Sequence, residues 1–173
     1  MFATIYLPDF YLQAALRHQT DLPGKPVALI DDREKKAVII QLNAAAEESG
    51  VAVGMTPSQG LARSLDLVIK VRNHPQEKIL QEILLHFGGT LAPFLEDTAP
   101  GIATIQFTDT KNIDRAVANV VRQLADAEIN ARAGIAPTPD ASFLAAHLAK
   151  PVLRIDDTRQ FLSALPIEVL AID

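Results

Sequence analysis

The chain has 173 residues, 49% of them hydrophobic, which is enough to bury a core in one domain or in one domain with a sizeable subdomain. The absence of cysteine excludes disulfides, thiolate metal sites and a cysteine nucleophile, and it predicts a cytoplasmic protein. The formal net charge of -5 argues against strong non-specific binding to nucleic acid, and no apolar run approaches the roughly 18 residues of a membrane span.

The N-terminal stretch predicts a strand that runs directly into a helix. Phe2–Leu7 is apolar, aromatic or β-branched without a turn residue, which is typical of a strand buried on both faces. Pro8 ends the strand and suits the first turn of a helix, whose apolar residues recur at helical spacing as far as Leu16. Asp9 therefore lies where a metal-dependent phosphoryl-transfer enzyme would hold its first carboxylate.

The next stretch, to about residue 87, predicts alternating short strands and helices. Two strands flank a charged hairpin loop at residues 31–36, Asn43 and Thr56 are expected helix N-caps, and Gly88–Gly89 ends a long helix. The predicted elements are strands Val27–Ile30, Ala37–Leu42 and Leu67–Val71, and helices Ala44–Ser49, Pro57–Ser64 and Pro75–Phe87.

From Leu91 the pattern predicts an antiparallel hairpin followed by further helices and strands. The elements are strands Leu91–Glu96, Ile102–Phe107, Asn130–Ala136 and Val152–Ile155, and helices from Asp109 or Thr110 to Ala127, Pro139–Leu148 and Thr158–Ala164. This order predicts an α+β sheet with helices on one face, into which residues 10–74 are inserted as a small module. The apolar segment Leu165–Asp173 has no stop signal and is expected to lead into another domain.

Several short motifs, in order and spacing, resemble the Y-family of translesion DNA polymerases, and more closely its ImuB branch. The motifs are Ile5-Tyr-Leu-Pro-Asp-Phe-Tyr-Leu-Gln-Ala-Ala-Leu16, Ala37-Val-Ile-Ile-Gln-Leu-Asn-Ala-Ala-Ala-Glu-Glu-Ser-Gly-Val51, Gly54-Met-Thr-Pro-Ser-Gln59, Ala133-Gly-Ile-Ala-Pro137 and Ala164-Leu-Pro-Ile167. The resemblance implies a ferredoxin-like antiparallel palm formed by residues 1–9 and 75–165. It also implies a fingers subdomain at residues 10–74 and the start of a thumb at residues 166–173.

The family's chemistry is two-metal nucleotidyl transfer, which needs several carboxylates on one edge of the palm sheet. The resemblance places the family's carboxylates on Pro8, Phe10, Pro100 and Gly101 of this chain, and its nucleotide-contacting residues on Gln13, Ala44 and Glu47. These replacements predict a protein without catalytic or nucleotide-binding residues, without a cofactor and without a metal, in which Asp9 is the one residual candidate ligand. The four histidines lie singly, without ligand spacing, at His18, His74, His86 and His147.

The resemblance to the ImuB branch implies a non-enzymatic adaptor in the mutasome, the complex that performs SOS-induced mutagenic translesion synthesis. The implied partners are a RecA-like protein of the ImuA type, an error-prone replicative DNA polymerase and the sliding clamp, with weak DNA contact in this portion and no membrane. Six basic residues are candidates for DNA binding: Arg33, Lys35, Lys36, Arg63, Lys70 and Arg72.

Two alternatives stay open at the level of sequence. The first is a divergent active nucleotidyltransferase that uses Mg²⁺ and takes its carboxylates from other positions, such as Asp9, Glu96 and Asp109. The second is a protein-interaction domain without DNA contact, which the acidic charge balance favours. Acidic residues alternate with basic ones in the loop at 31–36, which is also typical of a solvated surface.

Overall fold

The computed structural model describes residues 1–19, 22, 24–33 and 37–166. The strands are β1 (Phe2–Tyr6), β2 (Val27–Ile30), β3 (Ile39–Leu42), β4 (Val68–Val71), β5 (Phe94–Ala99), β6 (Ile102–Gln106), β7 (Arg132–Ala136) and β8 (Val152–Arg154). The helices are α1 (Phe10–Leu16), α2 (Ala44–Glu48), α3 (Pro57–Arg63), α4 (His74–Gly89), α5 (Ile113–Asp126), α6 (Pro139–Leu148) and α7 (Thr158–Ala164). Among the described residues, no helix combines the length and the apolar character needed to cross a membrane.

The chain divides into two compact units, one formed by Met1–Pro8 with the chain from Gln81 onward, the other by Asp9–Leu80. We call them the first and the second unit. The dividing points lie near the predicted borders of an inserted module, but the assignment of residues 1–9 and 75–165 to a palm and 10–74 to a fingers subdomain stays a prediction. Of the predicted thumb start, residues 167–173 lie outside the described part of the chain.

The first unit is built on a five-stranded sheet with the order β5-β6-β1-β7-β8. All neighbours are antiparallel except β7 and β8, which are parallel. β1 is central, and Ala3, Thr4 and Ile5 are fully buried, as predicted for a strand covered on both faces. Because side chains alternate along a strand, Thr4 and its cross-strand partner Thr104 share one face, while Ala3 and Ile5 face the other.

Helices cover both faces of this sheet. Gly88 of α4 lies against Leu95 and Ile105, on the face of Ala3 and Ile5. Gly134 of β7 lies against the backbone of α6, on the opposite face, because Gly134 pairs with Thr4. The predicted α+β class is thus confirmed. The sequence also predicts helices on one face of the sheet, but α4 and α6 lie on opposite faces. The crossover that joins the parallel strands β7 and β8 carries α6 over the second face.

The β5–β6 hairpin is the clearest departure from the predicted bounds. The sequence predicts a strand at Leu91–Glu96 followed by a turn-rich connection at residues 97–101, but β5 runs from Phe94 to Ala99, and Gly101 of the short turn has φ 76°. The register shifts between Asp97 and Ala99, so a bulge accommodates the extra residue in β5. Proline and glycine mark this turn correctly, but the polar residues before them belong to the strand.

The second unit is built on a three-stranded sheet with the order β3-β2-β4. One cluster, which includes Leu12, Val27 and Leu29, packs α1 against the sheet; another, which includes Ala28, Ile39, Ala46, Val51 and Leu67, covers the other side. Both predicted N-caps are confirmed. The Asn43 side chain accepts a hydrogen bond from the Ala46 N–H, and Thr56 forms a capping box with Gln59.

Candidate functional site

In the first unit, a hydrogen-bonded turn lies beside the end of β1. The Leu7 N–H donates to the carbonyl of Gly101 at 2.8 Å, which connects the end of β1 to the β5–β6 turn. The Gln81 side chain of α4 then fixes the turn: its Oε1 accepts the Gly101 N–H at 2.7 Å, and its Nε2 donates to Asp97 Oδ1 at 2.6 Å and to the Ala99 carbonyl at 3.3 Å. Gln81 therefore fixes the turn that contains Pro100 and Gly101, the two positions to which the resemblance assigns the family's second pair of carboxylates.

A row of hydroxyl groups crosses the sheet face covered in part by α6. Thr98 donates to Thr104 at 2.8 Å, Thr104 lies 3.4 Å from Thr4, and Thr4 lies 2.8 Å from Ser142. Ser142 donates to the Pro139 carbonyl at 2.7 Å, which completes the row within α6. The buried hydroxyls therefore satisfy one another, and the exposed end of the row lies on β5.

Glu96 of β5 shares that hydroxyl-bearing face, since it pairs with Thr104. Its neighbour Asp97 points to the opposite face, toward Gln81 of α4, as strand alternation predicts. Asp109, the third carboxylate of the active-enzyme alternative, follows the end of β6 that pairs with Phe2. Asp9 follows the other end of β1, after Tyr6. Asp109 and Asp9 therefore follow opposite ends of the β1–β6 pair.

Aromatic rings stack at the α6 side of the same face. The rings of Tyr6 and His147 are stacked with centroids 4.0 Å apart, and Phe143 lies 4.5 Å from the His147 ring. Burial lowers the pKa of His147, and the nearby positive charge of Arg132 acts in the same direction, so the imidazole is held neutral near pH 7. The sequence indicates the proximity of Phe143 and His147, because they lie one helical turn apart. It does not indicate the stacking of His147 on Tyr6.

In the second unit, Asp9 is exposed at the start of α1 and has φ 49°. It occupies the N-cap position without a side-chain capping bond, so its carboxylate does not serve the helix as a hydrogen-bonding cap. Gln13 lies on α1 and is partly buried, while Ala44 and Glu47 are exposed on α2. A methyl group and a carboxylate on α2 cannot bind a triphosphate by charge.

The predicted basic strip does not form a uniform cationic surface. Arg72 is 19% exposed and donates to Asp31 Oδ2 at 2.9 Å and to Glu77 Oε2 at 2.7 Å, while its guanidinium lies 3.9 Å from the centroid of the Tyr11 ring. These contacts, led by the hydrogen bonds to Glu77, raise the pKa of Arg72, and its charge is balanced within the unit. Lys70 donates to Gln19 at 2.7 Å.

Of the remaining basic candidates, Arg33 and Arg63 are exposed, and Lys35 and Lys36 lie outside the described residues. The backbone N–H of Arg33 donates to Asp31, and this bond is the first cause that lowers the pKa of Asp31. The sequence does not indicate the contacts of Arg72 with Asp31 and Glu77. These carboxylates lie 41 and 5 residues from Arg72, and no local pattern reveals either separation.

The side chains at the four positions assigned to the family's carboxylates carry no oxygen. The donor set at Pro8, Phe10, Pro100 and Gly101 therefore does not fit a site for two hard divalent ions, which require carboxylate ligands. Any catalytic carboxylates have to come from other residues.

The amino-acid sequence matches the model of the impB/mucB/samB family over residues 5–147. It is 25% identical over 171 residues to a DNA polymerase IV of Legionella pneumophila strain Corby, covering 93% of this chain and 48% of that protein. It is 27% identical over 168 residues to a DNA polymerase IV of Shewanella pealeana, with 91% and 47% covered. The chain spans about half the length of the curated relatives it matches.

Solved structures share the fold. The post-insertion binary complex of Dbh DNA polymerase superposes with a TM-score of 0.86 at 17% identity, covering 97% of this chain and 52% of that chain. DinB from Sulfolobus solfataricus gives a TM-score of 0.83, also at 17% identity, with 97% and 52% covered. The predicted palm-and-fingers fold of Y-family polymerases is confirmed.

The names of these proteins contradict one prediction. The sequence predicts that the protein is not an enzyme, but the relatives are named DNA polymerase IV, and one structural neighbour is named Dbh DNA polymerase. That prediction rested on aligning single positions. At about 25% identity, an alignment can slip by one residue at a strand end, and Asp9 is adjacent to both Pro8 and Phe10. The ImuB branch itself stays a prediction.

Proposed function

Because this chain belongs to the impB/mucB/samB family of Y-family polymerases, we propose that it forms the palm and fingers of an enzyme that extends DNA primers in lesion bypass. The observation that carries the proposal is the family match over residues 5–147, and the shared polymerase fold supports it. The relatives' names point to the same reaction class.

In this reaction the primer's 3′-hydroxyl attacks the α-phosphorus of a nucleoside triphosphate, and pyrophosphate leaves. We assign Asp9 as the carboxylate that accepts the hydroxyl proton. Asp9 is exposed and follows β1 after Leu7 and Pro8. Glu96 is the second candidate, since it is exposed on the hydroxyl-bearing face of the sheet. Gln81 keeps the adjoining turn in place.

Primer extension by the purified protein tests this assignment. We expect Asp9→Asn to reduce the extension rate at least about a hundredfold, the lower end of the loss when a general base is removed. Asp109→Asn is the matched control, because Asp109 is also exposed but follows the opposite end of the sheet, and its rate should equal that of the wild type. Equal rates in all three proteins would remove Asp9 from the reaction.

A second proposal is the finer role of an adaptor in a mutasome, which the protein would perform in addition to nucleotide transfer. The resemblance of the short motifs to the ImuB branch supports it. The proposed partners are an ImuA-type RecA-like protein, an error-prone replicative polymerase and the sliding clamp. Gel filtration of the purified protein with the ImuA-type protein should give a stable complex, and separate elution of the two would count against this role.

A further inference from the structure

Three side chains that are distant in the sequence meet within the second unit. Asp31 follows β2, Asp32 is the next residue, and His74 is the first residue of α4. One oxygen from each aspartate and one ring nitrogen of His74 all lie within 4.8 Å of one another. Ligand atoms about 2.0–2.2 Å from one metal ion are about 3–4.4 Å apart, so small side-chain movements bring these three atoms to coordination distance.

The two ring nitrogens of His74 are in different situations. Nδ1 lies 3.2 Å from Glu77 Oε2, and Nε2 is buried without a hydrogen-bond partner among the described residues. A buried nitrogen without a partner destabilises the fold, and a ligand on it would remove that penalty. A carboxylate on one ring nitrogen of a histidine is also the usual support for a metal on the other.

The charges around His74 favour a divalent cation. The carboxylates of Asp31, Asp32 and Glu77 contribute three negative charges and Arg72 one positive charge, so the four groups together carry -2. Arg72 bonds to both Asp31 and Glu77, which limits the movement of these two carboxylates. Asp31 Oδ1 also accepts the Arg33 N–H at 3.0 Å, which orients the carboxylate further.

We propose that Asp31, Asp32 and His74 bind one Zn²⁺ ion, and that Glu77 orients His74 through the second ring nitrogen. A mixed imidazole and carboxylate donor set suits Zn²⁺ better than Mg²⁺ or Ca²⁺, which take oxygen ligands. The ion would connect the residues after β2 to the start of α4. This site is structural and does not depend on nucleotidyl transfer.

Calorimetric titration of the protein with Zn²⁺, with Mg²⁺ as the comparison, tests the site. We expect one Zn²⁺ per chain, tighter binding than for Mg²⁺, and an affinity at least about tenfold lower in His74→Ala and in Asp32→Asn. Asp32 is exposed, so Asp32→Asn keeps the test valid if His74→Ala fails to fold. His86→Ala is the matched control, an exposed histidine further along α4, and it should bind as the wild type does.

Three outcomes would overturn the proposal. They are a wild-type protein that does not bind Zn²⁺, an Asp32→Asn variant with wild-type affinity, and a His86→Ala variant that loses as much affinity as His74→Ala.

Discussion

At the scale of single residues, Arg72 contacts two carboxylates and one aromatic ring within the second unit. Arg72→Met would leave Glu77, which is 9% exposed, without its guanidinium partner, and would also remove the contact with the Tyr11 ring. An uncompensated buried charge typically costs about 3 kcal/mol of folding free energy. Urea unfolding should show a loss of this size.

Arg154→Met is the matched control for Arg72→Met. Arg154 also contacts two carboxylates, but it is 34% exposed and its partners Asp114 and Asp156 are 55% and 75% exposed. Exposed ion pairs contribute about 0–1 kcal/mol, so this variant should stay close to the wild type. Equal losses in the two variants would contradict the view that burial determines the effect.

The free energy of unfolding should depend on pH through His147. Because burial lowers the pKa of His147 in the folded state, the unfolded chain binds more protons once the pH falls below its ordinary pKa of about 6.5. Its contribution to stability is therefore complete above that pH and is lost as the pH falls. His147→Phe keeps a ring beside Tyr6 but cannot titrate. The stability advantage of the wild type over His147→Phe should shrink between pH 7.5 and 5.5 in urea unfolding, and a constant difference would contradict the account.

At the scale of elements, β7 and α6 pack closely at Gly134. A Cβ on Gly134 would meet the Ser142 carbonyl oxygen and the Ala146 amide nitrogen, which are backbone atoms and cannot rotate away. Gly134→Ala should therefore destabilise the protein by about 3 kcal/mol in urea unfolding, the upper end of ordinary overpacking. Gly89→Ala at the end of α4 meets nothing within 4 Å and should be neutral or slightly stabilising. Similar stabilities of the two variants would show that α6 can shift on the sheet.

Local pattern predicted most elements because each carries its own signals, such as the Asn43 and Thr56 caps. The predicted bounds of β5 end too early in the chain, because Asp97 and Thr98 favour a turn in isolation. They form part of a strand only through their pairing with β6. The cross-strand register, the position of α6 and the stacking of His147 on Tyr6 depend on contacts between distant residues. A single sequence does not encode these contacts in any local spacing.

At the scale of the whole molecule, fold and chemistry were predictable to different degrees. Motif order was sufficient for the polymerase family and fold, because it reflects the succession of elements. Catalysis depends on a few side-chain positions, and a slip of one residue turns a strand side chain to the other face. The inference of inactivity from Pro8 and Phe10 was therefore weaker than the inference of the fold, and the names of the relatives contradict it.

Primer extension by the wild-type protein is the most direct test of the central claim, that this chain is part of a DNA polymerase. The template should carry one abasic site, and an undamaged template of the same sequence is the comparison. We predict template-directed nucleotide addition on both, with synthesis continuing past the lesion. A wild-type protein that binds the primer–template but adds no nucleotide on either template would contradict the claim.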